Sequence, residues 1–382
     1  MTPRERLLAA HTHQPTDQVP FFEQALSSRV ASRIFGRPMH TGGTGLHYEQ
    51  ALAAQFGPEE AAALDRKILE DTVAATREFE FCLAGLPWRW GAAPTAQLGE
   101  YTFRFGPEDG WWSIYRYDPV ADLFGQIDSW LRHEGPVGVE AIVAAEEASA
   151  AQVTRPGRGI GADLQYMMDE LGDDYAYPGP GGFGIPMEVV WLETLALRPD
   201  LIERHLDAQL EHNLAGIEAH VAAGCLVIYG GGDLATGKGP IYSPGTFRRL
   251  MLPRLKAMTD LCHELGVPYV WRSDGDLWPL ADALFVEAGA DAYGEIDSGH
   301  GMDVAEIRAA YPELVLWGAI DCGELLVRGT RDQVVAETRR QIEAVGHGHI
   351  LCSSNAILAH TPPENFLAMW EVSKQYGDPS LR

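Results

Sequence analysis

The sequence has little positive charge, few cysteines and no long hydrophobic run. Its 382 residues include 29 Lys and Arg against 54 Asp and Glu, so the net charge is −25. Because proteins bind nucleic-acid phosphates mainly through Lys and Arg, this balance predicts that nucleic acid is not a partner. No segment approaches the roughly 18 apolar residues that span a bilayer, so no membrane partner is expected either.

The cysteines are few and far apart: Cys82, Cys225, Cys262, Cys322 and Cys352. An odd number of separated thiols with no Cys-x-x-Cys pair indicates neither a disulfide framework nor a zinc knuckle, and it fits a reducing, cytoplasmic location. The thirteen histidines contain no His-Glu-x-x-His motif of the kind that binds zinc. Apolar residues make up 46% of the chain, which is enough for a packed core.

Short apolar runs alternate with longer segments of helical period through the second half of the chain. The predicted strands are 226–229, 267–271, 291–296, 314–317 and 349–352, and a helical segment follows each of them. Serial βα units, with room for about three more in the first half, favour a closed (β/α)8 TIM barrel over an open sheet. The predicted fold class is therefore α/β, with one domain over 1–382.

The first half of the chain is less regular. Two aromatic segments flank 106–110, whose glycines and proline are typical of a turn, so a β-hairpin inserted into the barrel is predicted at about 98–118. The Gly-rich stretch 179–184 lacks the spacing of a nucleotide-binding motif and is expected to be an irregular loop. The opening Thr2-Pro3-Arg4-Glu5 predicts a helix that begins with a capping box.

A (β/α)8 barrel has its active site at the carboxyl ends of its strands, so polar residues near those ends are the candidates. Carboxyl groups that share a cleft raise one another's pKa, which suits a general acid, and an arginine suits a substrate carboxylate. The predicted catalytic residues are Asp233, Arg272, Asp274 and Glu295. The predicted substrate-binding residues are Glu23, Tyr177, Tyr293, Asp321, Ser353 and Asn355.

Structural roles compete for several of these positions. Asp233 follows three glycines, so it either lies beside a ligand that approaches the backbone closely or forms a turn. Arg272 and Asp274 either meet a substrate or form an internal ion pair that fixes a loop. Ser353 and Asn355 either bind a ligand or cap a helix.

Several motifs occur in an ordered series: Tyr229-Gly-Gly-Gly-Asp-Leu234, Trp271-Arg-Ser-Asp-Gly-Asp-Leu-Trp278, Trp317-Gly-Ala-Ile-Asp321 and Ser353-Ser-Asn-Ala-Ile357. With this series the chain resembles the uroporphyrinogen decarboxylase superfamily, which also contains corrinoid-linked and zinc-dependent methyltransferases. The resemblance covers nearly the whole chain except the predicted hairpin. It implies a (β/α)8 barrel that is often a homodimer.

The resemblance also implies which activities of the superfamily to expect. Its methyltransferases bind zinc through a His-x-Cys pair after the strand that corresponds to 267–271 and a further Cys after the last strand. This chain has Arg272-Ser-Asp274 and Ser354-Asn355 at those places, so no thiolate zinc site is expected. Its porphyrinogen decarboxylases carry an arginine-rich loop where this chain has Phe21-Phe-Glu-Gln-Ala-Leu26, so uroporphyrinogen is not the expected substrate.

Three hypotheses follow from these features. The leading one is a metal-independent lyase of the decarboxylase type, which needs no cofactor and acts on a small carboxylated substrate by acid–base chemistry. The alternative is a methyltransferase of the O-demethylase type that passes a methyl group to a corrinoid protein or a thiol. Zinc or another divalent metal would then have oxygen ligands such as Asp274 and Glu295. The third is a non-catalytic barrel that binds a small ligand.

Overall fold

The computed structural model describes residues 1–89, 92–157 and 159–381. Its α-helices are α1 Pro3–His11, α2 Ser28–Phe35, α3 Thr44–Phe56, α4 Pro58–Phe79, α5 Trp130–Glu134, α6 Pro136–Ala150, α7 Ala162–Leu171, α8 Val189–Leu197, α9 Pro199–Ala222, α10 Pro244–Leu250, α11 Leu252–Glu264, α12 Val304–Ala310, α13 Leu325–Arg328, α14 Arg331–Val345 and α15 Pro363–Ser373. A π-helical segment, Asp282–Glu287, follows Trp278. The first helix has the predicted capping box between Thr2 and Glu5.

The strands form two main sheets and one short hairpin. They are β1 Ala96–Gly99, β2 Thr102–Phe105, β3 Ser113–Asp118, β4 Leu123–Ser129, β5 Pro178–Gly182, β6 Val227–Gly231, β7 Ala235–Thr236, β8 Gly239–Pro240, β9 Tyr269–Arg272, β10 Ala292–Gly294, β11 Val315–Trp317 and β12 His349–Ile350. The larger sheet has six strands in the order β12-β11-β10-β9-β6-β5, and its neighbouring strands are parallel. The α/β class and the five predicted strands of the second half are confirmed.

These strands can be predicted from the sequence because side chains on both faces of the sheet are buried. Tyr269, Trp271 and Leu316 belong to the core shared with the helices. Val270 and Trp317 belong to a separate cluster on the other face of the sheet. Strands that are buried on both faces consist of consecutive apolar residues, which is the pattern of the printed sequence.

Single parallel bridges extend the pairing beyond both outer strands of this sheet. Phe21 pairs with Leu351 and with Phe81, and Leu83 pairs with Ala176. These are isolated residue pairs rather than strands, so the regular sheet has six strands. Closure into the predicted (β/α)8 barrel stays a prediction.

The expectation of an irregular loop at 179–184 is wrong for most of that stretch, because Pro178–Gly182 forms β5 and pairs with β6. Its glycines are explained by close packing. A Cβ atom on Gly179 or Gly181 would lie 2.6 or 2.5 Å from the side chain of Ile228 in the neighbouring strand. A sequence without β-branched residues therefore forms a strand here because only glycine fits.

The predicted hairpin at 98–118 lies within a larger element. Strands β1 to β4 form a four-stranded antiparallel sheet, and β2 and β3 pair over the predicted turn. This sheet packs on α3: Phe103 and Phe124 form a cluster with Ala51, and the ring of Tyr48 stacks on Tyr117 at 4.1 Å between centroids. Within the described residues, no helix combines the length and the apolar character needed to cross a bilayer.

Candidate functional site

Four segments bring polar side chains to the end of the parallel sheet at which its strands have their carboxyl ends. Arg272 is the last residue of β9, and Glu295 directly follows β10. Gln24 lies just after the bridge residue Phe21, and Asn355 lies after β12. Because parallel strands end at the same edge, residues far apart in sequence meet here.

Arg272 is the centre of this group. Its Nε donates to the carbonyl oxygen of Gly230 at 2.7 Å. Its Nη1 donates to Oε1 of Gln24 at 2.6 Å and to Oε1 of Glu295 at 3.1 Å. The guanidinium lies 4.2 Å from the centre of the Tyr229 ring. Its Nη2 has no hydrogen-bond partner in the described part of the chain, so one donor of the fork is left for a ligand.

The three glycines before Asp233 serve this arrangement by making room for neighbouring protein atoms. A Cβ atom on Gly231, whose φ is +120°, would lie 2.4 Å from the carbonyl oxygen of Arg272. A Cβ atom on Gly232 would lie 2.4 Å from the carbonyl oxygen of Phe183. The glycines therefore allow the Arg272 strand and the Phe183 backbone to approach closely.

Glu295 is a buried carboxyl group that is held from two sides. Besides Arg272, the Nε2 of Gln24 donates to its Oε1 at 2.6 Å. Its φ is 61°, in the left-handed region that residues other than glycine rarely adopt. Burial raises the pKa of Glu295, although the Arg272 guanidinium and the Gln24 amide oppose the shift.

Asp274 is a half-buried carboxyl group close to other acids. The Nδ2 of Asn355 donates to its Oδ2 at 3.4 Å. Burial raises the pKa of Asp274, and the negative charges of Asp233 and Asp297 raise it further. Asp233 itself is exposed at the rim of the site. A carboxyl group in such surroundings retains its proton more readily at neutral pH, as a general acid requires.

Glu23 lies next to this network and is 6% exposed. Both of its oxygens accept hydrogen bonds from Ser353, from the backbone N–H at 2.8 Å and from Oγ at 2.7 Å. Burial raises the pKa of Glu23 to about 8, in spite of these hydrogen bonds. The structure thus joins Glu23 and Ser353 to each other, one residue away from Gln24 and near Asn355.

Three of the predicted substrate-binding residues lie outside this network. Tyr177 directly precedes β5, so it lies at the amino ends of the strands, away from the candidate site. Its hydroxyl donates to the Gly172 carbonyl oxygen at 2.7 Å. Tyr293 is fully buried against the helix layer, and its hydroxyl donates to the Ser273 carbonyl oxygen. Asp321 accepts hydrogen bonds from the backbone that follows it and shapes a turn.

Gln24 is the functional candidate that the sequence reasoning missed. Its side-chain oxygen accepts from Arg272, and its nitrogen donates to Glu295 and, at 3.3 Å, to Asn355. The available signal was its position, because it directly follows Glu23 after the first predicted strand.

The donor set does not fit a zinc ion. The described residues contain no group of three or more His, Cys, Asp or Glu side chains that could hold a metal. At the place of the family's His-x-Cys pair stand Arg272, Ser273 and Asp274, and a fixed guanidinium repels a cation. No step of the chemistry below is therefore assigned to a metal.

Comparisons with known proteins agree with this architecture. Residues 187–376 match the uroporphyrinogen decarboxylase (URO-D) family. The fold is similar to that of a methyltransferase from Methanosarcina mazei, with 18% identity, a TM-score of 0.61 and coverage of 98% of this chain and 99% of that chain. No curated protein sequence matches the chain.

Two further solved structures are more distant. A candidate vitamin-B12-independent methionine synthase from Listeria monocytogenes has 13% identity and a TM-score of 0.39, over 65% of this chain and 89% of that chain. A β-L-arabinopyranosidase from Geobacillus stearothermophilus has 10% identity and a TM-score of 0.42, over 95% and 77%. The family match includes the last five strands of the parallel sheet and most of the candidate site. Over residues 187–376, the chain is similar to the uroporphyrinogen decarboxylase (URO-D) family.

Proposed function

We propose that this protein is a lyase that removes carbon dioxide from a small carboxylated substrate by acid–base chemistry, independently of a metal. One observation carries the proposal: a partly buried guanidinium with an unused donor, Nη2 of Arg272, lies among carboxyl groups whose pKa is raised. The guanidinium can orient a carboxylate, and a protonated carboxyl group can deliver the proton that replaces it.

The reaction assigns one task to each group. Arg272 binds the substrate carboxylate through Nη2, while Gln24 and Glu295 hold the guanidinium in position. The bond between the carboxyl carbon and its neighbour breaks, carbon dioxide leaves, and the electron pair stays on the neighbouring carbon. Asp274 donates its proton to that carbon and regains one from water. Because the proposed reaction is independent of a cofactor, its substrate must itself delocalise the electron pair.

The test measures carbon dioxide release from a panel of small carboxylic acids by wild type and two variants. Arg272→Lys replaces the fork by a point charge and is expected to lower kcat/KM at least about tenfold. Asp274→Asn removes the proton and is expected to lower kcat by on the order of a hundredfold. Arg248→Lys changes an exposed arginine that pairs with Glu287 and serves as the matched control.

Circular dichroism and thermal unfolding show whether each variant is folded. The proposal fails if folded Arg272→Lys protein turns over the substrate as fast as the Arg248→Lys control. It also fails if Asp274→Asn retains wild-type kcat.

A methyltransferase is the second candidate, because the fold similarity to a methyltransferase extends over both halves of this chain. A methyl group would pass from the substrate to a corrinoid protein or a thiol. Incubation of the protein with small methoxy compounds and free reduced cobalamin tests this activity. Transfer of the methyl group from the methoxy oxygen to cobalt would form methylcobalamin, which its absorption spectrum identifies. We also propose that the protein is a homodimer and that it is cytoplasmic. All five cysteines are free, which is consistent with a reducing compartment.

A further inference from the structure

Most of the charged groups at the site already have a partner of opposite charge. Glu295 pairs with Arg272 at 3.1 Å between Oε1 and Nη1. Asp297 pairs with Nδ1 of His300 at 2.8 Å and also accepts from the backbone N–H of Gly275. These contacts occupy Nη1 of Arg272 and Nδ1 of His300 at this edge of the sheet.

Asp233 and Asp274, at the same edge, form no ion pair with any described residue. Asp233 forms neither a hydrogen bond nor an ion pair with any residue that the structure describes, and it is exposed. Asp274 receives only the long hydrogen bond from Asn355. Both carboxylates are close enough to act electrostatically on Glu295, and Asp233 also acts on Arg272. The site therefore offers one unused cationic donor and an excess of negative charge within reach of it.

We infer that the substrate is a zwitterion, with one carboxylate that binds Nη2 of Arg272 and one ammonium group that binds the carboxylate of Asp233. This inference names the substrate class of the proposed lyase and rests on that function. Asp274 is the more enclosed of the two unpaired groups and keeps its task as proton donor. Asp233, at the rim, is free to pair with the cation.

The charge balance of the site explains why neither half of such a molecule suffices. A simple carboxylic acid satisfies Arg272 but brings another negative charge beside Asp233 and Asp274. A simple amine satisfies Asp233 but leaves Nη2 of Arg272 without a charged acceptor, so it forms one charge-assisted contact fewer. A molecule with both groups contacts Arg272 and Asp233 at the same time. Because it loses its translational freedom only once, it binds more tightly than a simple acid or a simple amine.

Calorimetric titration with matched probes tests the inference. The probes are 4-aminobutanoate, butanoate and butylamine, which share one carbon skeleton, followed by glycine, 3-aminopropanoate and 6-aminohexanoate to vary the spacing of the charges. At least one amino acid is expected to bind about tenfold or more tightly than butanoate and butylamine, as one added charge-assisted contact provides.

The variant Asp233→Asn identifies the cation site. It is expected to abolish most of the advantage of the amino acid over butanoate, while the affinity for butanoate stays the same or rises. Asp109→Asn changes an exposed aspartate in the turn between β2 and β3 and serves as the control. The inference is overturned if no amino acid binds more tightly than butanoate, or if Asp233→Asn leaves that advantage intact.

The two proposals fail in different ways. Tight binding of the amino acid that depends on Asp233, without carbon dioxide release, contradicts the lyase and supports the zwitterion site. Carbon dioxide release from simple acids alone, with no effect of Asp233→Asn, contradicts the zwitterion site and supports the lyase.

Discussion

The buried carboxyl group of Glu23 makes the stability of the fold depend on pH near neutrality. Burial raises its pKa from the ordinary value of 4.5 to about 8. The folded protein therefore binds this proton more tightly than the unfolded chain does. The contribution of Glu23 to the free energy of unfolding is fully present below pH 4.5. It decreases as the pH rises from 4.5 to the folded-state pKa of about 8.

The size of the effect follows from the difference between the two pKa values. One pKa unit corresponds to about 1.4 kcal/mol, so the complete change amounts to on the order of 4 kcal/mol. Glu23→Gln removes the titration but keeps the shape, because an amide can accept from the Ser353 backbone and donate to its Oγ. The variant is expected to match wild type near pH 5 and to be more stable by at least about 2 kcal/mol at pH 9.

Urea denaturation from pH 5 to pH 9, followed by tryptophan fluorescence, measures this difference, provided that the m-values agree. Glu193→Gln, an exposed change in the middle of α8, is the control and should follow wild type at each pH. If the gap between wild type and Glu23→Gln is the same at pH 5 and pH 9, the burial argument for Glu23 is wrong.

Further predictions concern the fold and the site. The Arg6 guanidinium and the N-terminal amine hold the pKa of Asp17 at about 2 against the effect of burial. Asp17→Asn should therefore cost about 2 kcal/mol at neutral pH, a difference that disappears in acid denaturation as the pH falls from 4 to 2. Gln24→Met should lower kcat/KM for decarboxylation about tenfold, because Nη1 of Arg272 loses its nearest acceptor; an unchanged value contradicts this positioning role. Of the five thiols only Cys322 is partly exposed, so a thiol reagent should label it first in native protein, as mass spectrometry can verify.

The second half of the fold could be predicted because its strands are buried on both faces and are therefore apolar throughout. β11, with Val315, Leu316 and Trp317, is an example. In the first half the corresponding segments are single bridges at Phe21 and Leu83, and one or two residues carry no periodic pattern. β5 was missed for a different reason: tertiary packing against Ile228 selects glycine there, against its low β-propensity.

The site could be predicted where a charged residue ends a recognisable strand, as for Arg272 and Glu295. The same rule included Tyr293, since it could not tell which face of the strand a side chain occupies. Tyr177 was taken from a first-half loop without an assigned strand, and it precedes β5, which the sequence did not reveal. Gln24 was missed because its importance comes from three partners that lie at least 248 positions further along the chain. Such long-range contacts have no local signature.

We propose above that the protein removes carbon dioxide from a substrate whose carboxylate binds Arg272. The most direct test incubates wild-type protein and the Arg272→Ala variant with a metabolite extract and compares the products by mass spectrometry. The account predicts a pair of compounds related by the loss of carbon dioxide, formed by wild type and not by the variant. A pair related by the loss of a methyl group, formed with equal efficiency by both proteins, would contradict it.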